Sequence, residues 1–311
     1  EYLQVEPVGG RHVRTKATRI QVSQAHNAED RKDNLEYLIH RPKHISPYTA
    51  SQLKTPGSVN EWLQSPAMTK QWFVSDLHLA IERPHTLTLF EHFLANYPQA
   101  GDRLFILGDL FDVWIGDDDD AKLPDRVRAA LRAASDRGVA LFIQRGNRDL
   151  VMGKRLMREC GAHMLPDCHV TTVAGQSTLL MHGDLLCTDD VDYQKTRRRF
   201  RNPFFQWVML RKSLQERRRI LAEYRRRSRE MTALKPADIM DVNADTVVRY
   251  LQKHHVSRLI HGHTHRPASH EHALPDGTVA TRLVLPEWHE DHAAAWLDDG
   301  KKLAQVAIEA R

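Results

Sequence analysis

Cysteine is scarce in this chain: only Cys160, Cys168 and Cys187 occur. They form no CxxC pair, and any disulfide would leave one of them over. A disulfide-stapled scaffold is therefore excluded, and a reducing compartment is expected. Long apolar runs are missing too. None approaches the roughly 18 residues of a membrane span, and no signal-peptide pattern is expected at the start. Nor is charge of either sign in large excess, the net value being +5 at pH 7. Its distribution is uneven, however. An acidic knot at Asp117–Asp120 contrasts with arginine clusters between Arg197 and Arg229. That asymmetry points to an anionic partner on one face; composition leaves open a nucleic acid, a nucleotide or a membrane surface.

The 311 residues suffice for one large domain or two smaller ones. Residues 1–67 are polar, rich in His, Gln, Thr and Pro, and lack sustained apolar periodicity, so a flexible N-terminal extension is expected there. Met68 stands just before the first strong strand, and a domain is expected over 68–311. Within it a pattern repeats, in which a short apolar run ends abruptly in a ligand-type residue. Trp72–Ser75 ends at Asp76, Leu104–Leu107 at Gly108-Asp109, and Leu141–Ile143 runs into Gly146-Asn147. Thr178–Met181 ends at His182-Gly183-Asp184, and Arg258–Ile260 at His261-Gly262-His263-Thr264-His265. Helical patterns at Thr86–Asn96 and Arg126–Arg137 separate the early runs. Strands alternating with helices predict an α/β sheet with functional groups at the strand ends. Val279–Leu285 and Ala293–Leu297 read as a closing strand pair. Residues of about 190–245 interrupt the alternation with long helical patterns, including one over Asn202–Tyr224, and carry 15 Lys and Arg. They are expected to form a helical lid insertion.

Taken together, the strand-end residues Asp76, His78, Asp109, Asn147, His182, His263 and His265 are oxygen and imidazole donors. This mixture suits Mn²⁺, Fe²⁺ or Zn²⁺ and disfavours a thiolate-built structural zinc site. Seven donors exceed what one ion needs and fit two ions sharing a carboxylate. Such ions, about 3.5–4 Å apart, activate a water and stabilise phosphoryl charge during in-line displacement. Asp117–Asp120 has no comparable spacing and reads as a solvated loop, Asp112 as a residue orienting neighbouring ligands, and Cys187 as structural.

The motifs Asp76-x-His78, Gly108-Asp109-x-x-Asp112, Gly146-Asn147-Arg148-Asp149, His182-Gly183-Asp184 and Gly262-His263-x-His265 resemble those of the calcineurin-like metallophosphoesterases. The likeness covers nearly everything from Gln71 onward. It implies an α/β fold in which a β-sandwich is flanked by helices. It also implies two Mn²⁺ ions, one on Asp76, His78, Asp109 and His265, the other on Asp109, Asn147, His182 and His263.

Where that superfamily usually has His after Gly-Asn, this chain has Arg148. With Cys187-Thr188-Asp189-Asp190 and Ile239-Met240-Asp241-Val242-Asn243, it is similar to the branch that hydrolyses UDP-2,3-diacylglucosamine in lipid A synthesis. The resemblance implies release of UMP and 2,3-diacylglucosamine 1-phosphate by a metal-activated hydroxide attacking the α-phosphorus. Asp109, Asn147, Arg148, His182 and His263 would be catalytic. Asn147, Arg148, Asp190, Ser228, Thr232, Lys235 and His263 would bind substrate, and Phe204, Phe205, Trp207, Val208 and Met209 would offer an acyl slot. The protein would work in the cytoplasm, peripheral on the inner membrane, with no nucleic-acid partner. Two alternatives remain: a nuclease or nucleotide phosphodiesterase with the same metal pair, and a basic RNA- or membrane-binding module with an inactive site.

Overall fold

Three short strands with every residue buried form the centre of the fold: β1 (Gln71–Val74), β2 (Arg103–Leu107) and β3 (Ala140–Gln144). The structure, a computed structural model, describes residues 70–233, 239 and 241–309. The extension expected over residues 1–67 lies outside the described residues.

Alternation of side chains along these strands builds two cores. Phe73, Phe105 and Phe142 stand opposite one another across the parallel ladder and stack with centroids 5.1 and 5.0 Å apart. Trp72, Val74, Leu104, Ile106, Leu141 and Ile143 point the other way. That second face is covered by α1 (Pro84–Asn96), α2 (Lys122–Asp136) and α3 (Lys154–Cys160). Fully burying each such side chain contributes roughly 1.5–3 kcal/mol.

After α3 come β4 (Ala162–Met164), β5 (His169–Val173) and β6 (Gln176–Leu180), and later β7 (Arg258–His261), β8 (Ser269–Ala273), β9 (Val279–Val284), β10 (Ala293–Asp298) and β11 (Leu303–Ile308). One sheet has the order β11-β10-β1-β2-β3-β4 and the other β5-β6-β7-β9-β8. The phenylalanine stack packs against Leu180, Ile260, Leu283 and Leu285 of the second sheet, which makes the expected sandwich. The outer face of that sheet is covered by α7 (Ala244–Lys253), through Val247 and Leu251 on Leu179 and Leu259. Strands β1, β2 and β3, and likewise β6 and β7, run parallel, so their C-terminal ends carry the ligand loops.

Two expectations need correction. The runs Val279–Leu285 and Ala293–Leu297 do not pair with each other. β9 lies between β7 and β8 in one sheet, whereas β10 lies between β1 and β11 in the other. Apolar alternation marks a strand but not its partner. Nor is Asn202–Tyr224 one helix. The insertion is α4 (Val191–Arg201), α5 (Pro203–Leu210) and α6 (Leu214–Ala233). The run does start at Asn202, whose side chain accepts from the backbone N–H groups of Phe204 and Phe205 ahead of Pro203, but it breaks between Leu210 and Leu214, where Ser213 Oγ accepts from Glu216 N at 3.2 Å.

The acidic knot is not merely solvated; it fastens the insertion. Arg217 Nη1 donates to Asp118 Oδ1 at 2.7 Å and to Ile115 O at 2.8 Å, and Arg218 reaches Asp119 and Asp120 at 2.7 and 2.8 Å. Asp117 accepts from the N–H groups of Gly153 and Leu156 around the start of α3. Partners 99 residues apart in sequence leave no local signature. Among the described residues, no helix is long and apolar enough to cross a membrane.

Candidate metal centre

The loops after β1, β2, β3, β6 and β7 bring all seven expected donors together. Five of them hold left-handed backbone: Asp76 (φ 54°), His78 (46°), Asp109 (51°), His263 (70°) and His265 (54°). Such values are uncommon for non-glycine residues and concentrate at functional sites, where the surroundings enforce them. Two glycines permit the convergence by close approach. A Cβ on Gly146 would stand 2.0 Å from Asp109 Oδ1, and one on Gly262 would stand 2.1 Å from Asp76 Oδ2.

The donors sort into two adjoining sets. In the first, Asp76 Oδ1 lies 3.3 Å from His265 Nε2 and 3.8 Å from His78 Nε2, the two imidazole nitrogens are 3.3 Å apart, and Asp109 Oδ2 is 3.9 Å from His78 Nε2. In the second, Asn147 Oδ1 lies 3.0 Å from His182 Nε2 and 2.8 Å from His263 Nδ1, and Asp109 Oδ1 is 3.7 Å from His182 Nε2. Donors bonded to one ion at 2.0–2.1 Å stand roughly 3–3.5 Å apart, close to these spacings. Asp109 offers one oxygen to each set. Donor atoms of Asp76, His78 and His265 fall within 4.8 Å of one another, as do those of Asp76, Asp109 and His182.

The hydrogen bonding fits a cation. Asp76 Oδ2 accepts from Ser75 Oγ at 2.7 Å and from His263 N at 2.8 Å, whereas Asp76 Oδ1 is buried with no hydrogen bond and turned toward the imidazoles. Burial holds the His78 and His263 imidazoles down to about 3, so both are neutral and able to ligate. Burial also pushes Asp109 up to about 7, with Asp149 and Asp76 adding to the rise against the pull of His182. Burial lowers His265 as well, but the Asp76 and Glu287 carboxylates outweigh it and push that imidazole up to about 10. Asp76 and Glu287 thus draw onto His265 a proton that a bound cation would displace.

Several residues that hold the donors escaped the sequence reading. His182 Nδ1 lies 2.9 Å from Leu107 O, and His265 Nδ1 lies 2.7 Å from Glu287 Oε2; such partners fix the ring and its tautomer. Glu287 closely follows the apolar run Leu283–Leu285, the same signature that marked the other donors. Tyr193 packs over His263 with ring centroids 5.7 Å apart, and its hydroxyl donates to Asp184 Oδ2 at 3.2 Å. Asp149 ties two loops by accepting from Gly146 N and Leu110 N. Asp112 faces a donor and the insertion alike. Its Oδ1 is 3.9 Å from His78 Nδ1, beyond hydrogen-bond reach, and its carboxylate pairs with Arg225 of α6.

Around the cluster lie two hollows. One, beneath the insertion, is lined by the polar Asn147, Arg148, Arg217 and Arg225 and by the apolar Trp114, Leu150, Phe200, Phe205, Met209 and Leu221; Ser228 also lines it. The other is open and polar, with His78, Arg83, Arg148, Arg225, His265 and Glu287. Arg148 borders both, its Nε 3.9 Å from Asp109 Oδ2. Asp190 caps α4, accepting from Tyr193 N at 3.0 Å. Thr232 falls in the last turn of α6, and Lys235 lies outside the described residues. Of the five residues expected to form the slot, Phe205 and Met209 line the hollow, whereas Phe204, Trp207 and Val208 are exposed. The helix is amphipathic: positions 205 and 209 share one face, and the others turn outward.

Comparison with known proteins identifies the family. The family profile described as calcineurin-like phosphoesterase matches residues 69–267. A UDP-2,3-diacylglucosamine hydrolase of Edwardsiella ictaluri is 47% identical over 217 residues, 70% of this chain and 84% of that one. Proteins of the same name from Escherichia fergusonii and Salmonella arizonae are 46% and 47% identical over 219 residues, 70% of this chain and 91% of theirs.

Proposed function

This chain belongs to the calcineurin-like phosphoesterase family, and on that premise we propose that it hydrolyses the diphosphate of UDP-2,3-diacylglucosamine to UMP and 2,3-diacylglucosamine 1-phosphate. The observation that carries the reading is the carboxylate of Asp109, split between two donor sets, one of which includes Asn147, a residue that also lines an apolar hollow. Relatives bearing that enzyme's name support the substrate.

Asp76, His78, Asp109 and His265 would hold one divalent ion, and Asp109, Asn147, His182 and His263 the other; the oxygen and imidazole set suits Mn²⁺, Fe²⁺ or Zn²⁺, of which the family resemblance implies Mn²⁺. Bound there, the pair would acidify a water and offset the charge of the diphosphate. Arg148 clamps a phosphate oxygen with its guanidinium, together with Asn147 and His263, and steadies transition-state charge. Water adds its oxygen to the α-phosphorus, and the bridging oxygen departs with the sugar phosphate. That leaving group needs no general acid, because the second pKa of a phosphate monoester is about 6. The absence of the usual histidine at position 148 is consistent with this. Asp190, Ser228, Thr232 and Lys235 would bind substrate, and the acyl chains would enter the hollow beneath the insertion.

The outward face of α5 supports peripheral contact with the inner membrane. Phe204, Trp207 and Val208 are exposed, and Arg211 lies over the Trp207 ring at 4.2 Å. Apolar rings beside cations suit an anionic lipid surface. Loss of flotation with anionic vesicles in Trp207→Ser is the expected result; unchanged flotation would overturn this part.

The deciding experiment is turnover of UDP-2,3-diacylglucosamine with Mn²⁺ in ¹⁸O-water. Label in UMP is expected. Label in the lipid phosphate would overturn the site of attack. No turnover, beside good cleavage of simple phosphodiesters or nucleic acid, would overturn the substrate.

A further inference from the structure

His261 closes β7 and is fully buried, yet it belongs to neither donor set. Its ring is held from both ends. Arg282 of β9 is in register with Leu259, two residues earlier on the same face, and its Nη1 lies 3.2 Å from His261 Nε2. A guanidinium can only donate. His261 Nε2 is therefore the acceptor, and the ring proton sits on Nδ1, which donates to Gly262 O at 2.7 Å. Thr264 N donates to the same oxygen at 2.8 Å.

Gly262 O belongs to the peptide unit whose N–H is that of His263, and His263 N donates to Asp76 Oδ2 at 2.8 Å. One peptide plane is thus clamped at its oxygen by His261 and at its nitrogen by Asp76. It sits between the backbone φ of +70° at His263 and a Gly262 whose Cα cannot carry a side chain against Asp76. We infer that His261 is a positioning residue: by orienting the Gly262–His263 peptide, it sets the Asp76 carboxylate of one donor set and the His263 imidazole of the other, and so their mutual spacing. Such a hydrogen-bonded chain, Arg282 to His261 to peptide to Asp76, is reinforced by its members' polarisation of one another.

This inference rests on the metal-centre reading above, and the test separates the two. His261→Phe keeps ring volume and removes both polar atoms, whereas in His261→Asn the amide nitrogen overlays Nδ1 and can still donate to Gly262 O. For each protein, Mn²⁺ binding is measured by chelator competition, the Mn²⁺-loaded state by electron paramagnetic resonance, and the metal-free Tm by calorimetry. The Phe variant should lose roughly 10–100-fold in Mn²⁺ affinity and show a changed spectrum, while the Asn variant stays within about threefold of wild type. Should the Phe variant not fold, His261→Gln replaces it, because its amide reaches the Nε2 position and leaves Gly262 O with the Thr264 N–H alone. Wild-type affinity and spectrum in Phe or Gln, or an Asn variant as poor as Phe, would overturn the inference. A wild-type protein that binds no Mn²⁺ would overturn the metal centre itself, and the inference with it.

Discussion

Arg217 and Asp118 join the insertion to the catalytic domain across 99 residues of sequence, with Nη1 of the arginine 2.7 Å from Oδ1 of the carboxylate. The arginine side chain is buried (3% exposed) while the aspartate is half exposed. Removing the cation therefore costs more than an open surface pair, since Ile115 O also loses its donor. Arg217→Met should leave the sandwich folded and loosen α6. Amide exchange over α6 should rise, and KM for the lipid nucleotide should increase by about tenfold, equivalent to about 1.4 kcal/mol. Hydrolysis of a short phosphodiester that does not need the insertion should change little. Equal losses on both substrates would show that the pair supports the whole domain rather than the lid.

Asp109 offers the sharpest test of the paired site. Because one oxygen faces His78 and the other His182, Asp109→Ala damages both donor sets at once. Turnover should fall by on the order of a hundredfold or more, beyond the usual loss for an outer partner of a metal ligand. Metal analysis should show occupancy of both positions reduced. A variant retaining near-normal rate, or losing one ion only, would rule out a shared carboxylate.

How much of this was legible beforehand depends on the range of the interaction. The seven donors could be read because each follows a strand-length apolar run, and strand ends are where an α/β fold gathers its chemistry. The left-handed backbone at Asp76, His78, Asp109, His263 and His265 left no trace in composition, since it is imposed by neighbouring loops. The same holds for Asp118 and Arg217. β9 and β10 were recognisable as strands, but their assignment to different sheets depends on register against β7 and β1. Glu287 is the exception: it follows the apolar run Leu283–Leu285 closely, but as a single carboxylate with no second donor of the set beside it.

Glu287 should matter through His265. Its Oε2 lies 2.7 Å from His265 Nδ1 and holds the ring with Nε2 toward Asp76. Glu287→Ala should lower metal affinity by roughly tenfold, with a smaller effect for Glu287→Gln, whose amide oxygen can still accept. Titration with Mn²⁺ under chelator competition reads this directly. Affinity unchanged in the Ala variant would mean that the loop backbone alone fixes His265.

The last prediction concerns acid stability and follows from Asp184, which is buried and accepts from Arg197 Nε at 2.6 Å. Burial alone would raise its pKa; His182 and Arg197 overcome that and bring the carboxyl down from 3.8 to about 2. A group depressed on folding stabilises the folded state fully above its unfolded pKa. That contribution is lost as pH falls through the folded value, so the window runs from about pH 4 down to about pH 2. The shift corresponds to roughly 2 kcal/mol at 1.36 kcal/mol per unit. Urea unfolding of metal-free protein should therefore show stability declining over that window, and Asp184→Asn should flatten the decline by about that amount. At neutral pH the same variant should be less stable by roughly 3–5 kcal/mol, because Arg197 is left buried without this partner. Asp167 remains 2.9 Å from Arg197 Nη2 and is half exposed, so it can soften the loss but cannot replace a carboxylate at Nε. An acid profile identical in wild type and Asp184→Asn would show that other carboxylates govern unfolding and that this pair is silent between pH 4 and 2.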